Sequence, residues 1–305
     1  MQQNSSITAL VSAFARAYHS IHHTVKIYDD PLARDILGES YERIAQNMTD
    51  GIPYFCPGFE GTKEDALRWI VDSQLSPSPL GRAAYAGQCL QNAVSIGAEQ
   101  YLIFAAGYDT TAYRQPDFME SLRIVEIDHP ATQRDKLRRA RACLEIPRNL
   151  RYAAVDFADG DWPEQLRKQR AFEPDAVSFC SLQGISYYLS PEQFDAMIAG
   201  IAGLVGFGSS LVLDYPDRAS GTDAAGERAK KQQALAGEAG EQMLAGYSYR
   251  EMEALLAKHG FYIYEHLTPA EITERFFELH NQADPAHPMT AQDNTNYCLA
   301  VKRNT

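Results

Sequence analysis

The sequence predicts an α/β protein: a seven-stranded, mostly parallel, doubly wound sheet with helices on both faces and a helical cap at its N-terminal side. Three observations carry this. The apolar run Tyr101–Ala106 shows no polar alternation and stops at Gly107, the pattern of a strand buried on both faces that ends in a tight turn. A second strand-like stretch, Ser121–Ile127, follows and ends in Asp128. From there strand-like and helix-like segments alternate, as in sheets built from crossover units.

Taken in order, residues 6–23 place Ile7, Leu10, Val11, Phe14 and Tyr18 at spacings of three and four, an amphipathic helix with Ser5 or Ser6 as its cap. Asp29–Ala33 starts a short helix with Pro31 in its first turn. Residues 40–48 and 64–75 read as helices around a Gly- and Pro-rich loop, 51–61. The run Ser76–Gly81 reads as a breaker, which puts the next helix at 82–96. Strands are expected at 100–105, 122–127, 150–155, 176–180, 209–214, 261–266 and 296–301, the last two as a hairpin-like edge. Helices are expected at 130–143, 162–169, 191–204 and 248–259. Asp217–Gly246, rich in Gly, Ala, Lys and Glu, interrupts the alternation as a helical insertion suited to a lid, or as a solvated loop. The chain therefore reads as one domain: a cap (1–80), a ligand-binding core (81–214), the insertion (215–247) and a last helix with two strands (248–305).

The 305 residues are 45% hydrophobic and carry a formal net charge of −12. That charge argues against nucleic acid or an anionic membrane as the main partner and leaves room for a small molecule in a local pocket. Monomer and homodimer both remain open. Cys56, Cys89, Cys143, Cys180 and Cys298 form no C-x-x-C and stand at no metal-ligand spacing from a His; they read as buried free thiols of an intracellular protein. Ile7–Ala17 is too short for a secretory signal and is broken by Arg16, and no run reaches the length of a membrane span, so a cytoplasmic protein is expected.

Gly107 permits φ > 0 and a close ligand approach, and Asp109 and Thr110 are N-cap candidates beside free N–H groups. An acid about 20 residues beyond such a turn can grip the two hydroxyls of a ribose. Asp128 stands there, with Glu126 two residues earlier on the same strand face. Turn and acid together predict an adenosine-type ligand. Aligning Gly107 with the middle glycine of G-x-G-x-x-G places Ala105 and Thr110 at the other two, so a pyrophosphate cradle is poorly supported. S-adenosylmethionine has no phosphate, and its positive sulfonium suits an acidic pocket.

F-A-A-G-Y-D-T-T-A-Y-R (104–114), V-E-I-D-H-P-A-T-Q (125–133) and S-L-Q-G-I-S-Y-Y-L-S-P (181–191) resemble the signature blocks of the leucine carboxyl methyltransferase family, in the family's order. The N-terminal stretch 8–33 is similar to its bacterial branch, which includes polyketide-tailoring enzymes. The resemblance implies a class I, Rossmann-like methyltransferase that transfers a methyl group from S-adenosyl-L-methionine to oxygen. Implied cofactor contacts are Arg82 on its carboxylate, Gly107 and Asp109 on its methionine half, Asp128 on the ribose, and Asp156 with Phe157 on the adenine. Gln183 stands where the family has a Glu that meets the cofactor's amino group, and Ala105 where it mostly has Gly; Ala is harmless there if φ stays negative. Thr111 replaces the Arg of the bacterial pattern, and Arg114 is expected to brace the fold.

The catalytic candidates are His22, His23 and Tyr188. His19, His22 and His23 share a helix end whose simplest reading is a solvated one. Tyr187 and Tyr188 fall near the expected acceptor, and Tyr28 and Phe59 are placed in the same pocket. A carboxylate acceptor needs no base; a phenol would give His22 or His23 that role. No motif indicates a metal. The acceptor is expected to be a small molecule. A protein C-terminal carboxyl methyltransferase, a non-catalytic descendant and a nicotinamide oxidoreductase are the alternatives.

Overall fold

The structure, a computed structural model, describes residues 6–222, 225–238, 243–244 and 246–304. Five helices come first: α1 Ile7–His22, α2 Ala33–Leu37, α3 Ser40–Asp50, α4 Ile52–Phe55 and α5 Lys63–Ile70, which runs on through a π turn, Val71–Leu75. Ser6 caps α1 by accepting from the N–H of Ala9 at 3.2 Å. Next come α6 Pro77–Ser95, β1 Gln100–Phe104, α7 Thr111–Arg114, β2 Arg123–Asp128, α8 Pro130–Cys143, β3 Leu150–Ala154, α9 Trp162–Gln169 and β4 Ser178–Leu182. The chain closes with α10 Pro191–Leu204, β5 Ser210–Pro216, α11 Glu227–Glu238, α12 Tyr249–Lys258, β6 Phe261–Leu267, α13 Pro269–Ile272, α14 Glu278–Ala283 and β7 Thr295–Lys302.

The seven strands form one sheet in the order β3-β2-β1-β4-β5-β7-β6. All neighbours run parallel except β7, which slots antiparallel between β5 and β6. Alternate side chains of each strand point to opposite faces. Leu102, Phe104, Val125 and Ile127 meet α9, α10 and α12 on one face. Tyr101, Ile103, Ile124 and Phe179 meet α6 and the segment through Ile272 and Phe277 on the other. A third cluster, with Phe14, Tyr18, Tyr41 and Val71, joins α1–α3 to Tyr108 of the loop after β1. The N-terminal helices thus sit on the carboxyl ends of the strands, where doubly wound sheets bind ligands.

Four sequence expectations change. Ser76–Gly81 does not break the chain: α6 begins at Pro77, because a proline in the first turn loses no intrahelical hydrogen bond. Gly81 fits inside it because a Cβ there would come within 2.6 Å of the Tyr297 hydroxyl; the missing side chain lets α6 approach β7. The loop 51–61 contains α4. The last two strands pair antiparallel but are no hairpin, since α13 and α14 lie between them, started by a Thr268–Glu271 capping box. The insertion contains α11, while 223–224, 239–242 and 245 lie outside the described residues. All five cysteines are free, but only Cys89, Cys180 and Cys298 are buried; Cys143 is exposed. Among the described residues no helix is long and apolar enough to cross a membrane.

The histidines of α1 also depart from the reading of a solvated helix end. His19 and His23 are buried, and their rings stack at 4.6 Å. His280 closes the group at 5.4 Å and 4.9 Å. His19 Nε2 accepts from the N–H of Ile27, and His23 Nε2 meets Asp72 at 2.9 Å. Burial, then the neighbouring His23, His280 and Lys26, push the His19 pKa down to about 2. The unfolded chain therefore takes up a proton below about pH 6.5 that the folded one refuses, and stability falls with acidification by about 1.4 kcal/mol per pH unit. His19→Asn is expected to flatten the dependence of urea-unfolding stability on pH between about 6.5 and 5; an unchanged slope would remove His19 as its source.

Candidate functional site

Gly107 lies in the loop between β1 and α7 in the left-handed region, at φ +49°. Its N–H donates to Asp128 Oδ2 at 2.5 Å, and the other oxygen of Asp128 accepts from the N–H of His129 at 2.6 Å. The acid at the tip of β2 is thereby held against the glycine turn of β1. Burial raises its pKa, against the pull of these two N–H groups. A Cβ on Gly107 would lie 3.1 Å from that of Ala9, so α1 packs directly on the turn. Asp109 Oδ1 accepts from the N–H of Thr111 at 2.6 Å, closing the turn into α7. Burial works to raise the Asp109 pKa; Arg16, Lys136 and Arg114 outweigh it and hold the carboxyl below its ordinary value.

Ala105 lies at φ +52°, contrary to the expectation of a negative φ at a strand end. Holding an L residue there costs roughly 1–2 kcal/mol. Ala105→Gly is expected to raise stability by about 1 kcal/mol in urea unfolding; a loss would show that the alanine methyl contributes more by packing than the backbone conformation costs.

A cavity of about 1490 Å³ opens over this turn. Ala105, Gly107, Asp109, Asp128, Asp156, Phe157, Arg82, Gln183 and Tyr188 all line it, so the structure brings every predicted cofactor residue to one place. Asp156 follows β3 and caps the next turn by accepting from the N–H of Ala158 at 3.0 Å. Its other oxygen is 3.7 Å from His129 Nε2. Gln183 donates to the carbonyl of Arg82 at 2.7 Å. The Arg82 guanidinium lies against Gly184, where a Cβ would come within 2.3 Å of it, and 3.6 Å from Asp214.

Other expected residues fall elsewhere. Neither His22 nor His23 lines the cavity: His22 is exposed and stacks on Tyr18 at 4.1 Å, and His23 is buried on Asp72. Tyr28 packs under Arg114 at 4.8 Å, which confirms Arg114 as a brace, and Phe59 lies near Trp69; neither reaches the cavity. Glu126 does not join Asp128 on the cavity wall; it is buried in a 2.8 Å pair with Lys136. Arg16 and Asp214 were not foreseen. Arg16 is the one charged position in the buried stretch Ala13–Tyr18, and it bonds Asp30 and the carbonyl of Tyr108, both at 2.8 Å. Asp214 follows the apolar run Leu211–Leu213 within β5, and it accepts from the N–H of Gly184 at 2.6 Å and from Tyr187 at 2.8 Å. Both signals stand in the sequence. Among the described residues no His, Cys, Asp or Glu group is arranged to hold a metal ion.

An acid-tipped β2 facing the glycine turn of β1, on a sheet whose last strand inserts antiparallel, defines a class I, Rossmann-like methyltransferase. The chain belongs to the leucine carboxyl methyltransferase family, which matches residues 9–202. YktD of Bacillus subtilis, whose name assigns it provisionally as an S-adenosyl-L-methionine-dependent methyltransferase, is 38% identical over 99% of this chain and 100% of its own. A similarly named protein of Mycobacterium avium is 30% identical over 70% of this chain and 68% of its own. A solved DUF574-family structure from Streptomyces avermitilis shares the fold, with a TM-score of 0.63 over 98% of each chain at 11% identity. The protein is a methyltransferase whose cofactor is S-adenosyl-L-methionine. The donor set agrees: carboxylates crowd the turn, where a pyrophosphate would meet Asp109 and Asp128 at close range.

Proposed function

We propose that the protein is an O-methyltransferase that acts on a carboxylate or hydroxyl oxygen of a small molecule. The size of the cavity supports this most directly. Ligand sites commonly run to about 300–1,000 Å³, so about 1490 Å³ leaves room for a second molecule beside the nucleoside. In this reading Asp128 holds the ribose hydroxyls, Asp156 and Phe157 the adenine, and Ala105, Gly107 and Asp109 the methionine half. Arg82 pairs with the cofactor's carboxylate, since a guanidinium fork suits that geometry. Gln183 spends its N–H on Arg82 and keeps its oxygen for the cofactor's ammonium.

When bound, the cofactor supplies an electrophilic methyl group on a sulfonium. The chain's own contribution is positioning and exclusion of water. The described residues of 1–80 form the cap, and those of 215–247 the lid, of this proposal. Arg228 of α11 bonds the carbonyls of Ser73 and Thr290, and Lys231 that of Phe55. Such polar side-chain latches are suited to a segment that opens and closes. Buried free thiols at Cys89, Cys180 and Cys298 suit a reducing compartment, and the cytoplasm is the proposed location. Titration calorimetry is expected to show binding of S-adenosylhomocysteine and none of NAD. The reverse result would sink the reading.

A further inference from the structure

β5, S-L-V-L-D-Y-P, carries one charged residue, Asp214, and every position of the strand is buried. Asp214 itself is 1% exposed. A carboxylate taken out of water at that depth needs hydrogen bonds and an opposite charge. The fold supplies both from two segments. β4 and β5 run parallel with Leu182 opposite Leu213, so the chain leaving β4 passes beside Asp214. There Oδ1 accepts from the N–H of Gly184 at 2.6 Å and Oδ2 from the hydroxyl of Tyr187 at 2.8 Å. The Ser186 hydroxyl donates to the Asp214 carbonyl at 2.7 Å. The counter-charge comes from α6, where Arg82 Nη1 stands 3.6 Å from Oδ2.

We propose that Asp214 is a positioning residue for the cofactor's amino-acid end: it aims Arg82 at the cofactor's carboxylate while it fixes the Gln183–Gly184 turn beside it. This rests on the methyltransferase reading above, in which Arg82 pairs with that carboxylate. Arg82, Gln183 and Gly184 line the cavity and Asp214 does not, so Asp214 acts through them. At 3.6 Å its contact with Arg82 is an ion pair and no hydrogen bond. It sets the direction of the guanidinium and leaves the five N–H donors for other partners. Two further walls complete the seat. Arg82 Nη2 donates to Ser12 Oγ of α1 at 3.4 Å, and Gly184, at φ +69°, keeps clear a space in which a Cβ would collide with the guanidinium. Gln183 closes the group by donating to the Arg82 carbonyl at 2.7 Å. Burial works to lower the Arg82 pKa; Asp214 and then the tyrosines around it outweigh that, so the fork stays charged. A free arginine side chain loses rotamer entropy with each ligand it binds; held in this seat, it has lost that freedom before the ligand arrives.

The test compares two ligands that share the adenosine and differ at the amino-acid end, which S-adenosylhomocysteine has and methylthioadenosine lacks. Asp214→Asn keeps the size of the side chain and an acceptor for Gly184 and removes the charge that faces Arg82. In calorimetry it is expected to weaken S-adenosylhomocysteine by about tenfold or more and methylthioadenosine by less than about twofold. Equal losses on both ligands, as a merely structural role would give, or no loss on S-adenosylhomocysteine, overturn the proposal. A second comparison does not depend on how well that single variant folds. Between Arg82→Met and Arg82→Met/Asp214→Asn no further loss of S-adenosylhomocysteine binding is expected, because the residue through which Asp214 acts is already gone. A further loss of about tenfold marks an effect independent of Arg82 and overturns the proposal. If Arg82→Met binds S-adenosylhomocysteine as tightly as the wild type does, the assignment of Arg82 itself falls, and the proposal with it.

Discussion

Replacing Asp128 by Ala is expected to weaken S-adenosylhomocysteine binding by about 100-fold or more. A hydrogen bond to a charged group contributes roughly 1.5–3 kcal/mol, and two ribose hydroxyls would lose theirs together. The substitution also frees the N–H groups of Gly107 and His129, which the carboxylate holds at 2.5 Å and 2.6 Å. Loss of binding could then come from a relaxed turn. Asp128→Asn separates the two effects, because the amide keeps one acceptor for the turn while removing the charge. Calorimetry on both variants, with circular dichroism as a folding control, decides the matter. Binding within threefold of wild type in Asp128→Ala would count against any ribose contact.

The second large effect concerns stability. Lys136 and Glu126 pair at 2.8 Å with each side chain 1% exposed, and the ammonium also sits 5.6 Å from the Tyr113 ring. Burial raises the Glu126 pKa against the attraction of Lys136. Lys136→Met would leave a carboxylate without its counter-charge in the core, a defect that costs about 3–5 kcal/mol. The Glu126 carboxyl would take up a proton instead, so the loss should deepen as pH rises. Removing the acid as well, in Glu126→Leu/Lys136→Met, is expected to restore most of the stability, because two apolar groups leave no unpaired charge. Urea unfolding of the single and double variants gives the coupling directly. A single variant that loses less than about 1 kcal/mol would mean that the pair carries little net stability.

Short-range patterns were legible before any coordinates. The helices at 130–143, 162–169 and 191–204 were readable because proline stands in the first turn of each and polar residues precede it. The central strands were readable because each is a short apolar run with both faces covered. α13 was missed although Thr268 and Glu271 announce it at capping-box spacing. Gly107 and Asp128 were found by their separation along the chain, and the structure joins them by one hydrogen bond.

By itself the sequence determined the order of strands and helices, the acid and glycine at the head of the sheet, and the family, because periodicity, caps and turn residues act over a few positions. Tertiary structure decided which charges are free. His19 and His23 look solvated until His280 packs on them from more than 250 residues away. Arg16 and Arg218 have no evident partner along the chain until folding brings Asp30 and Glu251 to them. Burial and pairing depend on contacts between distant segments, and those same contacts set the charge of the cavity and hence what it can receive.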